Sequence, residues 1–188
     1  MEEVTTFCAR YMDGVESKLN RPVLYEEGPI GAKVSRLISA NEAHQAHHFV
    51  LFNSPSIETL RMNENISEEI ICLARGPKYN VASYHGFFVN GYKFETIIVD
   101  HLRVTRNSGV ASIGEEKKIF YGVVENVLEV YFRTLAPVHL LKCSCYDMKE
   151  GSRRVVDEYN FTLVNTTKKS FEDEPFIYPS QAQQVFYS

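Results

Sequence analysis

The chain has 188 residues, 44% of them hydrophobic, and a formal net charge of −4 at neutral pH. That supply of apolar side chains excludes a disordered polypeptide, and the acidic balance excludes a bulk basic footprint for nucleic acid. Tyrosine and phenylalanine number 11 and 12 with no tryptophan, a composition that leans towards β structure.

Val4, Phe7, Cys8, Tyr11, Met12, Val15 and Leu19 recur at helical spacing. They predict an amphipathic helix over residues 2–19, ending before Arg21-Pro22, whose apolar stripe needs a partner. Residues 20–38 contain Pro22, Gly28, Pro29 and Gly31 with little periodicity, and read as a loop or a deletion scar between elements. Ser39-Ala40-Asn41-Glu42 has the S-x-x-E arrangement that opens a helix, with Ser39 capping a free amide and Glu42 reaching back. This helix runs to about Phe52 and is stopped by Asn53-Ser54-Pro55, because a residue before proline is pushed out of the helical region. A shorter helix follows around residues 66–75, closed by Gly76-Pro77.

After Gly76 the period changes. Asn90-Gly91 lies between apolar runs, and Asn followed by Gly tolerates the two positive φ angles of a type I′ turn at least cost. It predicts a hairpin within residues 83–99 in which Val89 faces Tyr92 and Phe87 faces Phe94. Asn107-Ser108-Gly109-Val110-Ala111 reads as a turn. Strands are then expected over Ile119–Phe132, Val138–Tyr146 and Val155–Val164, with Leu141, Cys143 and Cys145 on one face, and likewise Val155, Tyr159, Phe161 and Leu163. The expected fold is α+β. A helical N-terminal arm of residues 1–76 precedes a small, mostly antiparallel β-barrel-like domain of residues 77–188, SH3-like or BAH-like by analogy.

Chemistry-bearing motifs are few. His44 and His48 stand four apart on the second helix beside His47, but no carboxylate or cysteine stands at motif spacing to complete a zinc set. Cys143 and Cys145 point to one face of a strand, which suits core packing as well as chelation. The four cysteines lack paired C-x-x-C spacing, and the N-terminus Met1-Glu2-Glu3 is acidic where a leader would be basic, so reduced thiols in a soluble intracellular protein are expected. No apolar run approaches the roughly 20 residues that span a bilayer. Nothing resembles a nucleophile elbow or a phosphate-cradling loop. The carboxylates come in runs, Glu115-Glu116 and Glu172-Asp173-Glu174, which usually mark solvated faces. No catalytic residue, metal, cofactor or small-molecule substrate is predicted.

Two surface features point to macromolecular partners. Arg103 and Arg106, joined by Lys117 and Lys118 and by Arg153-Arg154, could contact phosphates from one rim of the β domain, although Glu115, Glu116, Asp157 and Glu158 offset them. Tyr121, Phe132 and Tyr146 are candidates for an aromatic pocket, against the commoner role of such residues as core.

Several blocks of the sequence carry a family resemblance. Val89-Asn90-Gly91-Tyr92-Lys93-Phe94, Thr105 to Val110, Phe120-Tyr121-Gly122-Val123-Val124-Glu125 and Ser180 to Tyr187 resemble, in order, the plant domain of unknown function 4216. That domain lies near the C-terminus of proteins from CACTA-type (En/Spm-like) DNA transposons. Phe7-Cys8-Ala9-Arg10-Tyr11, Leu19-Asn20-Arg21-Pro22, Gln45-Ala46-His47, Phe49 to Pro55 and Leu73 to Pro77 are similar to the segment preceding it. The resemblance implies a transposon origin and a nuclear location. It transfers no catalytic residue, because a DDE-type transposase needs carboxylates on a ribonuclease-H-like core, and neither the alternating βα pattern nor the length for one is present. The expected function is a non-catalytic accessory or interaction module contacting protein or nucleic acid through its β domain. The rivals are a DNA-binding accessory fragment and a degenerate remnant without selected function.

Overall fold

A computed structural model of the chain describes residues 26–55, 57, 68–114, 119–146, 155–156 and 162–187. The helix expected over residues 2–19 lies outside the described residues. So do Lys117, Lys118, Arg153 and Arg154.

The long strand β7, Ile119–Val130, organises the fold. Along one edge it pairs antiparallel with β8, Val138–Tyr146. The other edge is shared: its first half takes β6, Gly109–Ile113, and its second half takes β3, Asn80–Tyr84. Beyond β3 lies β2, Val34–Leu37. Beyond β8 lie β11, Lys169–Ser170, and β12, Phe176–Ile177, while β13, Gln183–Gln184, pairs with β6. Together these make an eight-stranded antiparallel sheet. A separate three-stranded sheet joins β1, Gly28–Ile30, to the hairpin of β4, Gly86–Val89, and β5, Tyr92–Glu95.

Both faces of the large sheet are covered, as the alternation of side chains along a strand requires. Leu128, Val130 and Leu140 point to the face held by helix α1, Ala40–Phe52, and helix α2, Glu68–Ala74; there they meet Ala46, Val50, Leu73 and Phe132. Val124, Val127, Leu141 and Cys143 point to the opposite face, where they meet Phe87, Val89 and Phe94 of the small sheet. A β-bulge between Val124 and Asn126 makes this possible on β7. One extra residue there returns Val127 to the side that Val124 already occupies.

Local signals account for much of this. Asn90 and Gly91 have φ of 53° and 79°, and Val89 pairs with Tyr92 and Phe87 with Phe94, as the Asn-Gly turn predicts. Ser39 caps α1 by accepting the Glu42 N–H at 3.1 Å. Glu42 does not reach back to complete a capping box. Its carboxylate instead takes Arg36 at 2.5 Å and Lys142 of β8 at 3.1 Å, which pins the helix to the sheet. Gly76, at φ of 80°, follows α2, and its N–H bonds the Leu73 carbonyl at 3.0 Å.

Other expectations are corrected. The helical arm of residues 1–76 is not found in its described part. The stretch expected as a loop contains β1 and β2, and β2 hydrogen-bonds directly into the sheet formed by later residues. Its side chains face mainly solvent, so no apolar alternation announces it; Pro29 fits because β1 is an edge strand. No closed barrel forms among the described residues, since burial is achieved by layering on both faces of an open sheet. The turn at Asn107–Ala111 gives way to β6, and a single helical turn α3, Ile97–Asp100, follows β5. The strand expected over Val155–Val164 is instead two short ones, β9 at Val155–Val156 and β10 at Thr162–Leu163, paired with each other.

Candidate interaction site

Buried carboxylates are the first place to look for chemistry, because an unpaired one is costly and therefore informative. Glu129 of β7 is buried and accepts hydrogen bonds from Lys33 Nζ at 2.9 Å, the Tyr131 hydroxyl at 2.6 Å and the Tyr84 hydroxyl. Burial pushes its carboxyl up, but these donors outweigh it and hold the group down at about 2. His139 Nε2 stands 3.8 Å away and its ring leans on Phe87. Burial holds that imidazole below its usual value, against the pull of Glu129. Glu95 is paired with Lys93 at 2.8 Å and Arg103 at 3.0 Å. Asp100 accepts two backbone N–H groups. Each of these acids, with Glu42, finds its hydrogen-bond or ionic partners within the protein.

The residues singled out from sequence are dispersed. Arg103 is engaged with Glu95, while Arg106 stands exposed on the following loop. Phe132 is 0% exposed, packed in the core beneath α1 rather than in the lining of the cleft described below. That corrects the expected trio. Tyr146 instead packs edge-on against Tyr187 with ring centroids 5.9 Å apart, and the Tyr187 hydroxyl donates to the Gly122 carbonyl at 3.0 Å. Tyr121, half-buried on β7, is among the groups that raise the Tyr187 hydroxyl, behind burial and Tyr146. His47 Nε2 bonds the Leu73 carbonyl at 2.6 Å, and the ring of His48 stacks on Phe52. Among the described residues no three His, Cys, Asp or Glu side chains are grouped to hold a metal. The thiols of Cys143 and Cys145 are pushed up, first by burial.

What the structure does assemble is an open cleft of about 590 Å³. Helix α1 forms one wall through His48, Phe49 and Phe52. The opposite wall is the end of β6 and the start of β7, with Ile113 and Phe120, and the floor includes Cys145 and Ile177. Phe171 stands at the rim, edge-on to Phe120 at 4.7 Å. Phe52 is 71% exposed and Phe171 45%. Phe171 has a φ of 58°, a left-handed conformation that costs a bulky residue about 1–2 kcal/mol. Gln45 of α1 donates to the Glu172 carbonyl at 2.9 Å, which ties that loop to the helix. Among the described residues of the lining Glu174 is the one acidic residue, and no Lys or Arg occurs. Sequence reasoning missed this cleft because its walls come from α1, the β6–β7 region and residues 171–181, which only the folded sheet brings together.

Comparison with known proteins bears on the second half of the chain. Residues 128–188 match the family model of a domain of unknown function, DUF4216. The match begins in β7 and takes in β8 and everything after it, about a third of the chain. It supports the resemblance at that level, and it covers the floor and the Phe171 rim of the cleft but not the α1 wall. No curated protein and no solved structure matches the chain. Among the described residues no helix is long and apolar enough to cross a membrane.

Proposed function

We propose that the chain is a non-catalytic interaction module, derived from a CACTA-type plant transposon protein and acting in the nucleus, that binds an apolar polypeptide segment in the cleft. The observation that carries this reading is Phe171. It lines the cleft half exposed, edge-on to Phe120, with a backbone conformation that is unfavourable for phenylalanine. With Phe52 it offers the large, rigid aromatic contacts that anchor polypeptide partners.

The charge of the described lining favours a polypeptide over nucleic acid. Nucleic-acid binding is dominated by Lys and Arg against phosphate, and neither occurs among the described residues of the lining. The buried carboxylates support the non-catalytic part of the reading, since Glu42, Glu95, Asp100 and Glu129 are all satisfied within the fold. The transposon origin and nuclear location rest on the resemblance of the ordered sequence blocks; the family match adds only the domain of unknown function.

A displayed-peptide selection on the purified chain tests the proposal. Retained peptides should be rich in apolar and aromatic residues, lose at least about tenfold in affinity against Phe52→Asp or Phe171→Asp, and bind almost equally at about 50 and 200 mM salt. Failure to retain any peptide, or retention of DNA with a steep loss over that salt range, would count against it.

A further inference from the structure

The loop between α3 and β6 displays apolar side chains to solvent. His101 and Leu102 continue the helical turn, their N–H groups bonding the Ile97 and Val99 carbonyls at 3.2 and 3.0 Å, so Ile98 and Leu102, four residues apart, share one side. Both are largely exposed, as is Val104. His101, Arg103 and Arg106 stand exposed among them, while Asp100, the one acid of residues 97–107, is buried. We infer that this loop is a segment the cleft receives, supplied by a second copy of the chain. The inference rests on the reading of the cleft as a polypeptide site.

Charge and position argue for this occupant. At the cleft rim Phe171 is followed by Glu172, Asp173 and Glu174, all exposed. Lys168 and Lys169 precede them, and Lys169 lies 3.7 Å from Glu125. An aromatic rim followed by three carboxylates complements an aliphatic loop flanked by cations. The loop is also held ready for docking. Arg103 is tied through its guanidinium to Glu95 at 3.0 Å and through its N–H to the Asp100 carbonyl at 3.1 Å, and the Asp100 carboxylate holds the Asn107 and Ser108 amides. A loop ordered before it meets a partner loses little freedom on binding. Strand β6 begins at Gly109, next to the loop, and ends at Ile113 in the cleft wall, about 13 Å along the strand. With the loop fixed at the near end of β6 and the cleft at the far end, the contact requires another molecule.

Sedimentation velocity on the full chain supplies the test. The wild-type sedimentation coefficient should rise between about 10 and 500 µM, as a small interface implies. A loop variant, Leu102→Asp with Val104→Asp, and a cleft variant, Phe52→Asp with Phe171→Asp, should each sediment as a monomer over that range. Their thermal midpoints should be unchanged, because all four side chains are exposed. An equimolar mixture of the two keeps one working loop and one working cleft, so it should form a one-to-one dimer. In a second pair, Arg106→Glu should weaken self-association about tenfold, and mixing it with a chain carrying Glu172→Lys and Asp173→Lys should restore association. A wild-type chain that stays monomeric, a loop or cleft variant that associates like wild type, or a mixture that stays monomeric overturns the inference. Peptide selection separates the two claims. Peptides retained by a chain that stays monomeric keep the cleft as a polypeptide site and refute the contact between copies, whereas no retained peptide and no self-association refute both.

Discussion

Asp100 and Ser108 close a loop between them: one carboxylate oxygen of Asp100 accepts the Ser108 N–H at 2.8 Å, and the other accepts that of Asn107 at 2.9 Å. Both contacts sit where α3 hands the chain to β6. The loop between them carries Leu102 and Val104, which are 84% and 95% exposed, so apolar burial does little to hold it. The buried carboxylate holds it instead, acting on the backbone as a cap acts on a helix end.

Asp100→Ala should therefore lower unfolding stability by about 3 kcal/mol, because it strands two amides that had a charged acceptor. Asp100→Asn should recover part of the loss, since its oxygen serves one amide while its NH₂ confronts the other. Urea denaturation of the three proteins at neutral pH measures the order.

The Glu129 cluster sets an acid limit. Its folded carboxyl sits at about 2 against an ordinary 4.5, so its stabilisation is fully present above about pH 4.5 and is lost as pH falls through 2. His139 acts in the same direction. The folded imidazole titrates below its usual 6.5, so acidification below that value protonates the unfolded chain first and weakens the fold. The urea midpoint should fall in two stages on acidification. Glu129→Gln should flatten the lower stage and His139→Gln the upper one.

Much of the architecture is legible in short stretches of sequence, where the determining residues are neighbours. Asn90-Gly91 fixes a register, Ser39 starts a helix and Gly76 ends one, each through the local backbone. What is hidden depends on residues far apart. Lys33, just before β2, gathers with Tyr84 of β3 and Glu129 of β7, and no spacing pattern reveals them. Strand β2 is hidden for another reason: its side chains are mainly exposed, so it lacks the alternation by which strands are recognised. Phe132 misled because an aromatic just beyond a strand reads the same whether it ends in a core or in a pocket.

Gly109 should not tolerate a side chain. A Cβ there would strike the carbonyl oxygen of Val185, the residue whose N–H bonds Gly109 in return at 3.2 Å. Gly109→Ala is expected to destabilise the chain by about 2–3 kcal/mol. Hydrogen exchange should locate the damage in β6 and β13, with α1 protected as before.

The arginines divide by role. Arg103→Ala removes a partner from buried Glu95 and should lower stability by about 1–2 kcal/mol, while Lys93 still covers the carboxylate. Arg106→Ala should leave the thermal midpoint unchanged. Retention on DNA at low salt, lost in Arg106→Ala at an unchanged midpoint, would favour the nucleic-acid alternative over the cleft.

The bulge in β7 gives that strand a phase. Residues before it and after it point correctly only because one residue is surplus, and every pairing with β8 on either side is counted from that point. A one-residue deletion near Glu125 would leave composition almost untouched yet turn Val124 and the residues before it to the opposite side of the sheet. Matching deletions in β6 would be needed to restore its contacts. Substitution is the mild form of change along this strand and a shift in length the severe one, so related sequences should vary here in letters long before they vary in number.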